Sequence, residues 1–528
     1  MSDPTHDLCV VGSGISGALL SYLLAEQGWQ VLLIKAGGRF DNAQRFHTAS
    51  LFLNFGRDPW PSNLPERDRY VSAGDVDYSL NTARLFAVGG TTLHWGGAIN
   101  RLHPDDFALA SRHGVGADWP ITYDELEPFY ARAERLIGVA GPAEVPYGSP
   151  RSAPHPMAEF PLGHTDRFWR EVCSRAGVAL HPAAFAKNSV PYDGRSLCSA
   201  FGTCNPICPI RAQYSADHHV AKAVATGRVT LLADTCVRRL LTDPGGRRVT
   251  GVVATGLDSS DQTYTTSAYI VAAHAVESAR LLLLSAGGAH PDGLGNRSDH
   301  VGRNLMEHWY VFSRVRMADR RFYPYRLGFD VAESHQFYSR EDRDEAGAFK
   351  LEFSDRGGTP YDLAVRSGAW GEALARQVEA EFGRTLEVAA ETEHLPNPES
   401  RVTLHPSEVN VFGDPIPVIA FRFSDYDRRT QQRAREIITT ILEATGSDRF
   451  SVSKQAYRAG HHMGTCRMGT DPGTSVVDRD LRVHGVDNLF VLGSAVFPTV
   501  GAAQPTLTIA ALAARLAGHL DAGRSAGR

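Results

Sequence analysis

Cysteine is sparse in this sequence. There are seven thiols in 528 residues, an odd number in a chain large enough to need no covalent staples, which argues against a disulfide framework. No apolar run approaches the ~18 residues of a membrane-crossing helix, so no direct span is expected. Lys and Arg form no block, and 54 of them against 59 Asp and Glu leave a formal charge of −5, which makes nucleic acid a poor partner. The start, "MSDPTHDL", has no basic region followed by an apolar one and no twin-arginine pair, so no signal peptide is expected and the bare N-terminus suits a cytoplasmic enzyme. What is present is an ordinary globular composition, 43% hydrophobic and 21% charged, in a chain too long for one core.

The first stretch, "DLCVVGSGISGALLSYLLAEQGWQVLLIKAGG" (7–38), reads as strand, tight turn, helix, strand. From Phe40 to about Asn81 the chain is rich in Pro, Gly, Asn and Asp and is expected to be extended loop. Helices are expected within 105–185, chiefly in "YDELEPFYARAERLIGV" and "DRFWREVCSRAGV". Strand and strand–helix patterns return in 228–234, 247–256 and 268–287, and residues 310–455 alternate like antiparallel strands. A strand and turn at 488–499 and a helix near 506–520 close the chain, with a frayed tail after Asp521.

Gly12, Gly14 and Gly17 form G-x-G-x-x-G between the first strand and helix. That spacing allows a sharp turn, close approach of a pyrophosphate to the backbone, and tight helix–strand packing, with the helix N-terminus facing the phosphates. The second strand should end in an acid that holds the ribose, but it ends at Lys35, which taken alone hints at the 2′-phosphate of NADP.

Further along, "VGGTTLHWGGAINR" (88–101), "VGRNLMEH" (301–308), "HHMGTCRMG" (461–469), "VVDRDLRVHGVDNLFVLGSAVFPT" (476–499) and "GAAQPTLTIAALAARLA" (501–517) together resemble glucose–methanol–choline (GMC) flavoprotein oxidoreductases. The resemblance runs in order from residue 7 to about 517 and implies FAD rather than NADP. It implies an α/β fold in which a Rossmann-like FAD-binding domain is interleaved with an antiparallel-sheet substrate-binding domain. The expected FAD-binding segments are 1–110, 200–309 and 456–528, with a cysteine loop at 192–215; residues 111–199 and 310–455 would form the substrate domain and helical insertions. Cofactor contacts would come from Gly12, Gly14, Ser16, Gly17 and Lys35, and from Gly89, Gly90, Thr91, His94, Trp95 and Gly96 in the central loop. Val237, Ser494, Pro505 and Thr506 would complete them.

Oxidising an alcohol to a carbonyl needs a base for the O–H proton and a hydride acceptor for the C–H, and histidine suits the first task. By resemblance the base is His461, with His462 as the fallback. The second active-site position of the family falls at Gln504, which can hold a substrate oxygen but cannot act as a second base. His94 stands where some sugar-oxidising relatives attach flavin covalently, and a histidine that only packs beside the ring is the alternative. His274 occupies a position where the family usually has glycine.

Three of the seven thiols, Cys198, Cys204 and Cys208, fall within "CSAFGTCNPICPI". C-x3-C-P is the closing spacing of a bacterial ferredoxin run, and three thiolates suit a [3Fe–4S] cluster. Zinc with His218 or His219 as a further ligand, or three unligated thiols, are the alternatives. The loop also resembles the cysteine insertion of bacterial sugar dehydrogenase catalytic subunits of the glucose, fructose and gluconate type. That resemblance implies electron relay through a [3Fe–4S] cluster to a multihaem cytochrome c subunit, with a small chaperone-like partner and co-export to the periplasmic face of the inner membrane. The expectation is therefore an FAD-dependent dehydrogenase of sugars or polyols. The rivals are an oxygen-using pyranose or glycoside oxidase with a vestigial loop, and a flavin-binding subunit without turnover.

Overall fold

The computed structural model describes residues 6–55, 66–256, 260–322, 332–355 and 360–526. Leu8–Val11 and Val31–Ile34 are buried at every position, as strands covered on both faces must be. They lie at the centre of a five-stranded parallel sheet ordered Leu489–Val491, Ala268–Val271, Leu8–Val11, Val31–Ile34, Val229–Leu232. The helix Ile15–Glu26 is apolar all round and packs between the sheet and the C-terminal helix Thr506–Ala526, which in turn contacts Tyr123–Ile137.

A second sheet is antiparallel throughout. Its order is Phe450–Val452, Trp309–Arg316, Thr385–Thr392, Phe349–Ser354, Ala332–Ser334, His181–Pro182, with Tyr457–Arg458 pairing beside Trp309–Arg316. The helices His164–Arg175 and Asp425–Glu443 cover it and enclose a separate core of Trp169, Phe349, Leu351, Val388 and Ile438. Smaller sheets join Cys236–Thr242, Val249–Thr255 and Asp261–Tyr264, and join Arg401–Val409, Pro415–Phe421 and Val71–Gly74.

The structure departs from the sequence reading in three places. Residues 310–455, read as antiparallel strands, also hold the helices Pro360–Ser367, Gly371–Glu381 and Asp425–Glu443, the last an amphipathic helix that covers the second sheet. The stretch from Phe40 to Asn81 is not simply loop: it holds the helix Asn42–Phe55 and the strand Val71–Gly74, while residues 56–65 lie outside the described residues. Asp41 and Gln44 cap that helix reciprocally, at 2.7 and 2.8 Å, and the strand owes its existence to distant Pro415–Phe421. The C-terminal helix also continues past Asp521 to Ala526. Trp29 Nε1 donates to Asp521 at 3.2 Å and the Arg524 guanidinium lies 4.6 Å over the Trp29 ring, which ties the last turns down.

Candidate active site

A cavity of about 550 Å³ runs from the glycine turn to the antiparallel sheet. Gly12, Gly14, Ser16, Lys35, Gly90, Thr91, His94, Trp95, Gly96 and Val237 all line it. So do His461, Ser494, Gln504, Pro505 and Thr506. Gly17 and Gly89 stand behind the wall: a Cβ on Gly17 would meet the Gly12 carbonyl oxygen at 1.9 Å, and Gly89 N donates to Ser13 O at 3.1 Å.

The glycine turn is shaped for a pyrophosphate. Gly12 has φ +108 and a Cβ there would meet Ala272 O at 2.3 Å, whereas a Cβ on Gly14 would have nothing within 4 Å and would project into free space. The helix that follows has no side chain capping its N-terminal N–H groups, so these remain available to an anion. The residues present therefore fit a dinucleotide. Lys35 ends the second strand with its ammonium 5.6 Å over Phe86, and burial draws its pKa down to about 8, with Arg67 acting in the same sense. Glu277, which also lines the cavity, supplies a carboxylate at this end and pairs with Arg84 and Arg280. Burial lowers the His94 pKa to about 4, so the imidazole beside the central loop is neutral.

At the other end the site is built on histidines and carboxylates. Glu391 Oε1 lies 2.9 Å from His461 Nδ1 and 3.0 Å from His308 Nδ1, and the two imidazole nitrogens are 3.0 Å apart. His308 Nε2 faces the Gly501 carbonyl at 3.1 Å, which only accepts, so that nitrogen carries a hydrogen. Burial opposes a charge on His308, but Glu391 and then Glu307 outweigh it and raise its pKa. His461 Nδ1 faces both His308 Nδ1 and the Glu391 carboxylate, which leaves Nε2 as the nitrogen of this cavity-lining ring that is turned away from them. Its backbone N–H donates to Glu307 Oε1, and Glu307 Oε2 accepts from Tyr78 at 3.1 Å.

His462 also lines the cavity, but it is buried and its Nδ1 meets His274 Nε2 at 3.0 Å. Burial, then His274, hold its pKa well below the ordinary value. His274 itself sits at φ +74, ψ 153, a region that suits glycine, and its Nδ1 accepts from Val276 N at 3.3 Å to cap the helix Ala275–Leu284. The histidine thus has a structural account at a glycine-like position.

Gln504 is held on three sides. Its Nε2 donates to Glu352 Oε1 and Glu391 Oε2, both at 3.1 Å, and its Oε1 accepts from Asn100 at 3.1 Å. Lys350 bridges the same carboxylates, 2.9 Å from Glu391 and in contact with Glu352. Burial would raise the Glu391 pKa, yet Lys350, His308 and His461 hold it well below the carboxylate range. Tyr310 and Phe312, stacked at 5.2 Å, add an aromatic wall.

Sequence reading did not single out Glu333, Glu352, Glu391, Lys350 or Asn100, and it quoted His308 only as part of a motif. One signal was there to find. Lys350 and Glu352 are charges within "FKLEFS", a strand buried at all six positions, where each charge must be compensated.

The thiol loop reaches this cavity through Asn205, between Cys204 and Cys208, while none of the three thiols is in the wall. Burial pushes the buried Cys204 thiol up, Lys187 draws it down, and Cys208 and Cys198 push it up again, so the three thiols lie within electrostatic reach of one another. All three are free of disulfides. Among the described residues no group of ligand atoms at this loop lies all within 4.8 Å, as one zinc ion would require. His218 Nε2 is paired with Asp193 at 2.8 Å and His219 Nδ1 meets Tyr214 at 3.0 Å, and among the described residues neither histidine gathers with the thiols.

No helix among the described residues is long and apolar enough to cross a membrane. Models of the GMC oxidoreductases match residues 70–310 and 396–513. The chain is 31% identical to the fructose dehydrogenase large subunit of Gluconobacter japonicus over 97% of each chain. It is also 31% identical to the paromamine 6'-oxidase of Streptomyces fradiae, over 98% of this chain and 91% of that one. The solved structure of pyridoxine 4-oxidase from Mesorbium loti superposes with a TM-score of 0.65 at 20% identity, covering 98% of this chain and 99% of the other. The α/β architecture, the glycine turn and these similarities agree, and the chain belongs to the GMC oxidoreductases, a family of FAD enzymes.

Proposed function

We propose that this chain is a dehydrogenase that oxidises a hydroxyl of a sugar or polyol to a carbonyl. The observation that carries the reading is the far wall of the cavity, where Glu333, Glu352 and Gln504 stand beside His461 and the Tyr310–Phe312 platform. Carboxylate and amide groups there match a substrate made of hydroxyls, and aromatic faces suit its C–H surfaces. The parallel-sheet segments 1–110, 200–309 and 456–528 would hold FAD, and 111–199 with 310–455 would hold the substrate.

FAD bound along the cavity would supply a hydride acceptor at N5. His461 takes the hydroxyl proton at Nε2, and Glu391 holds the opposite nitrogen so that the lone pair stays aimed into the cavity. Gln504 steadies the substrate oxygen with an amide hydrogen now shared with Glu352. Cys198, Cys204 and Cys208 would hold a [3Fe–4S] cluster, whose one-electron chemistry suits a haem acceptor. Val190, Leu197 and Phe201 flank these thiols as exposed apolar side chains, a surface fit for a partner subunit. Similarity to a protein named as a large subunit supports a multi-subunit complex; within it we place a cytochrome c acceptor and a small chaperone-like subunit, on the periplasmic face.

Anaerobic titration of the purified protein with monosaccharides and polyols tests the reading: flavin colour is expected to bleach with at least one, and His461→Ala to abolish bleaching while retaining the flavin. Bleaching by none, or undiminished turnover in His461→Ala, overturns it. Iron and sulfide analysis of anaerobically purified protein should give about three irons per chain. Similarity to paromamine 6'-oxidase favours a second reading, an oxygen-using oxidase. Substrate-dependent oxygen consumption in protein without iron selects it.

A further inference from the structure

Beside the substrate end of the cavity, Glu333 of the substrate wall meets two histidines that the proposed reaction does not use, His181 and His335. His181 and Glu333 are register partners on adjacent antiparallel strands, and His335 follows Glu333 by two residues, which places all three on one face. One ligand atom from each lies within 4.8 Å of the others, and each residue is 3% exposed.

The hydrogen bonding leaves this cluster incomplete. His181 Nδ1 donates to the Pro182 carbonyl at 3.0 Å, the kind of contact that fixes the tautomer of a metal-bound imidazole, and His181 Nε2 is left with no partner. Neither nitrogen of His335 has a hydrogen-bond partner, although Nε2 lies 3.3 Å from Glu333 Oε1. Glu333 Oε2 accepts from Asn100 Nδ2 at 3.1 Å. Buried imidazole nitrogens without partners are costly unless something unseen fills the gap. The surrounding charge favours a cation, since the three buried carboxylates of Glu333, Glu352 and Glu391 face two cationic side chains, Lys350 and His308.

The triad His308, Glu391 and His461 offers the same donor types, but its atoms sit 2.9 to 3.0 Å apart at hydrogen-bond spacing and His308 is satisfied on both sides. It shares protons. The His181 cluster has lone pairs to give.

We propose that His181, Glu333 and His335 form a two-histidine, one-carboxylate site for a divalent transition metal, zinc being the ion that best suits the donor set. Glu333 lines the cavity, so the ion stands at its edge, where water or a substrate hydroxyl completes the coordination. The proposal is independent of the electron route and of the substrate's identity.

Metal analysis of the flavin-loaded protein, after zinc exposure and gel filtration, should find about one zinc per chain. His335→Ala should lose it while keeping flavin, and Asn100→Ala should weaken zinc affinity about 10- to 100-fold. X-ray absorption at the zinc edge of the wild-type protein should show only nitrogen and oxygen neighbours, at about 2.0–2.2 Å. That measurement needs no variant and decides the matter if His335→Ala does not fold. Sulfur neighbours would put the ion in the thiol loop and overturn the proposal. It is equally overturned if zinc, cobalt and manganese all wash off, or if His335→Ala keeps a full complement.

Discussion

Nδ1 of His461 and Oε1 of Glu391 stand 2.9 Å apart, with the histidine on a loop and the carboxylate on the buried strand Thr385–Thr392. The strand fixes the carboxylate, and the carboxylate fixes the ring. Glu391 is therefore a positioning residue. Glu391→Gln is expected to lower kcat about 10²-fold or more while changing KM little, because the ring loses its orientation and not its nitrogen. Glu391→Asp should recover part of the loss. Steady-state kinetics at fixed flavin content check this, and a loss carried by KM alone would contradict it.

The same carboxylate makes stability depend on pH. The His308 pKa is raised from 6.5 in the folded chain, so its contribution is complete below the unfolded value and is lost as pH rises through the raised one. Glu391 behaves oppositely, because its lowered pKa gives stability that is present above about 4.5 and lost only in strong acid. Thermal stability should therefore decline as pH rises above about 6.5, a decline that His308→Asn lacks. Parallel curves for the two proteins would remove the charge from His308.

Gly14 and Gly17 are both glycines of one turn, yet their substitutions should fail differently. Alanine at Gly17 drives a methyl into the Gly12 carbonyl, so Gly17→Ala should lower Tm and yield little folded protein. Alanine at Gly14 meets no protein atom within 4 Å, so the fold should stand while flavin content falls. Comparing the Tm of the flavin-stripped variants with their flavin stoichiometry separates the two outcomes.

His274 combines a backbone conformation that favours glycine with a useful side chain. His274→Ala keeps the strain and loses the cap, whereas His274→Gly loses the cap and relieves the strain. Denaturant unfolding should place the alanine variant about 1–3 kcal/mol below the glycine variant. Equal stabilities would show that the backbone there is not strained.

Much of this molecule was legible in its sequence. The glycine turn, the strands Leu8–Val11 and Val31–Ile34, the helix Tyr123–Ile137 and the strand–helix unit from Ala268 to Leu284 follow from local periodicity, and the motifs around Gly89, His461 and Gln504 carry the family. The helix Asn42–Phe55 was hidden because the surrounding turn residues masked its Asp41–Gln44 cap. Val71–Gly74 could not be read locally, since its pairing partner lies over 300 residues away. The substrate end was the least visible. Glu333, Glu352 and Glu391 come together only through strand register, and Asn100 meets them from a distant loop, so no local pattern marks them as neighbours.

The cavity wall runs from Val11 to Ile509, and the strand Leu489–Val491 and helix Thr506–Ala526 complete the parallel-sheet layer around the first strand and helix. The cofactor berth is thus assembled from segments far apart in the chain, and its wall is closed only by residues 493–509. Truncation before Leu489 is therefore expected to remove both that strand and the wall residues Gly493 to Ile509, and with them flavin binding.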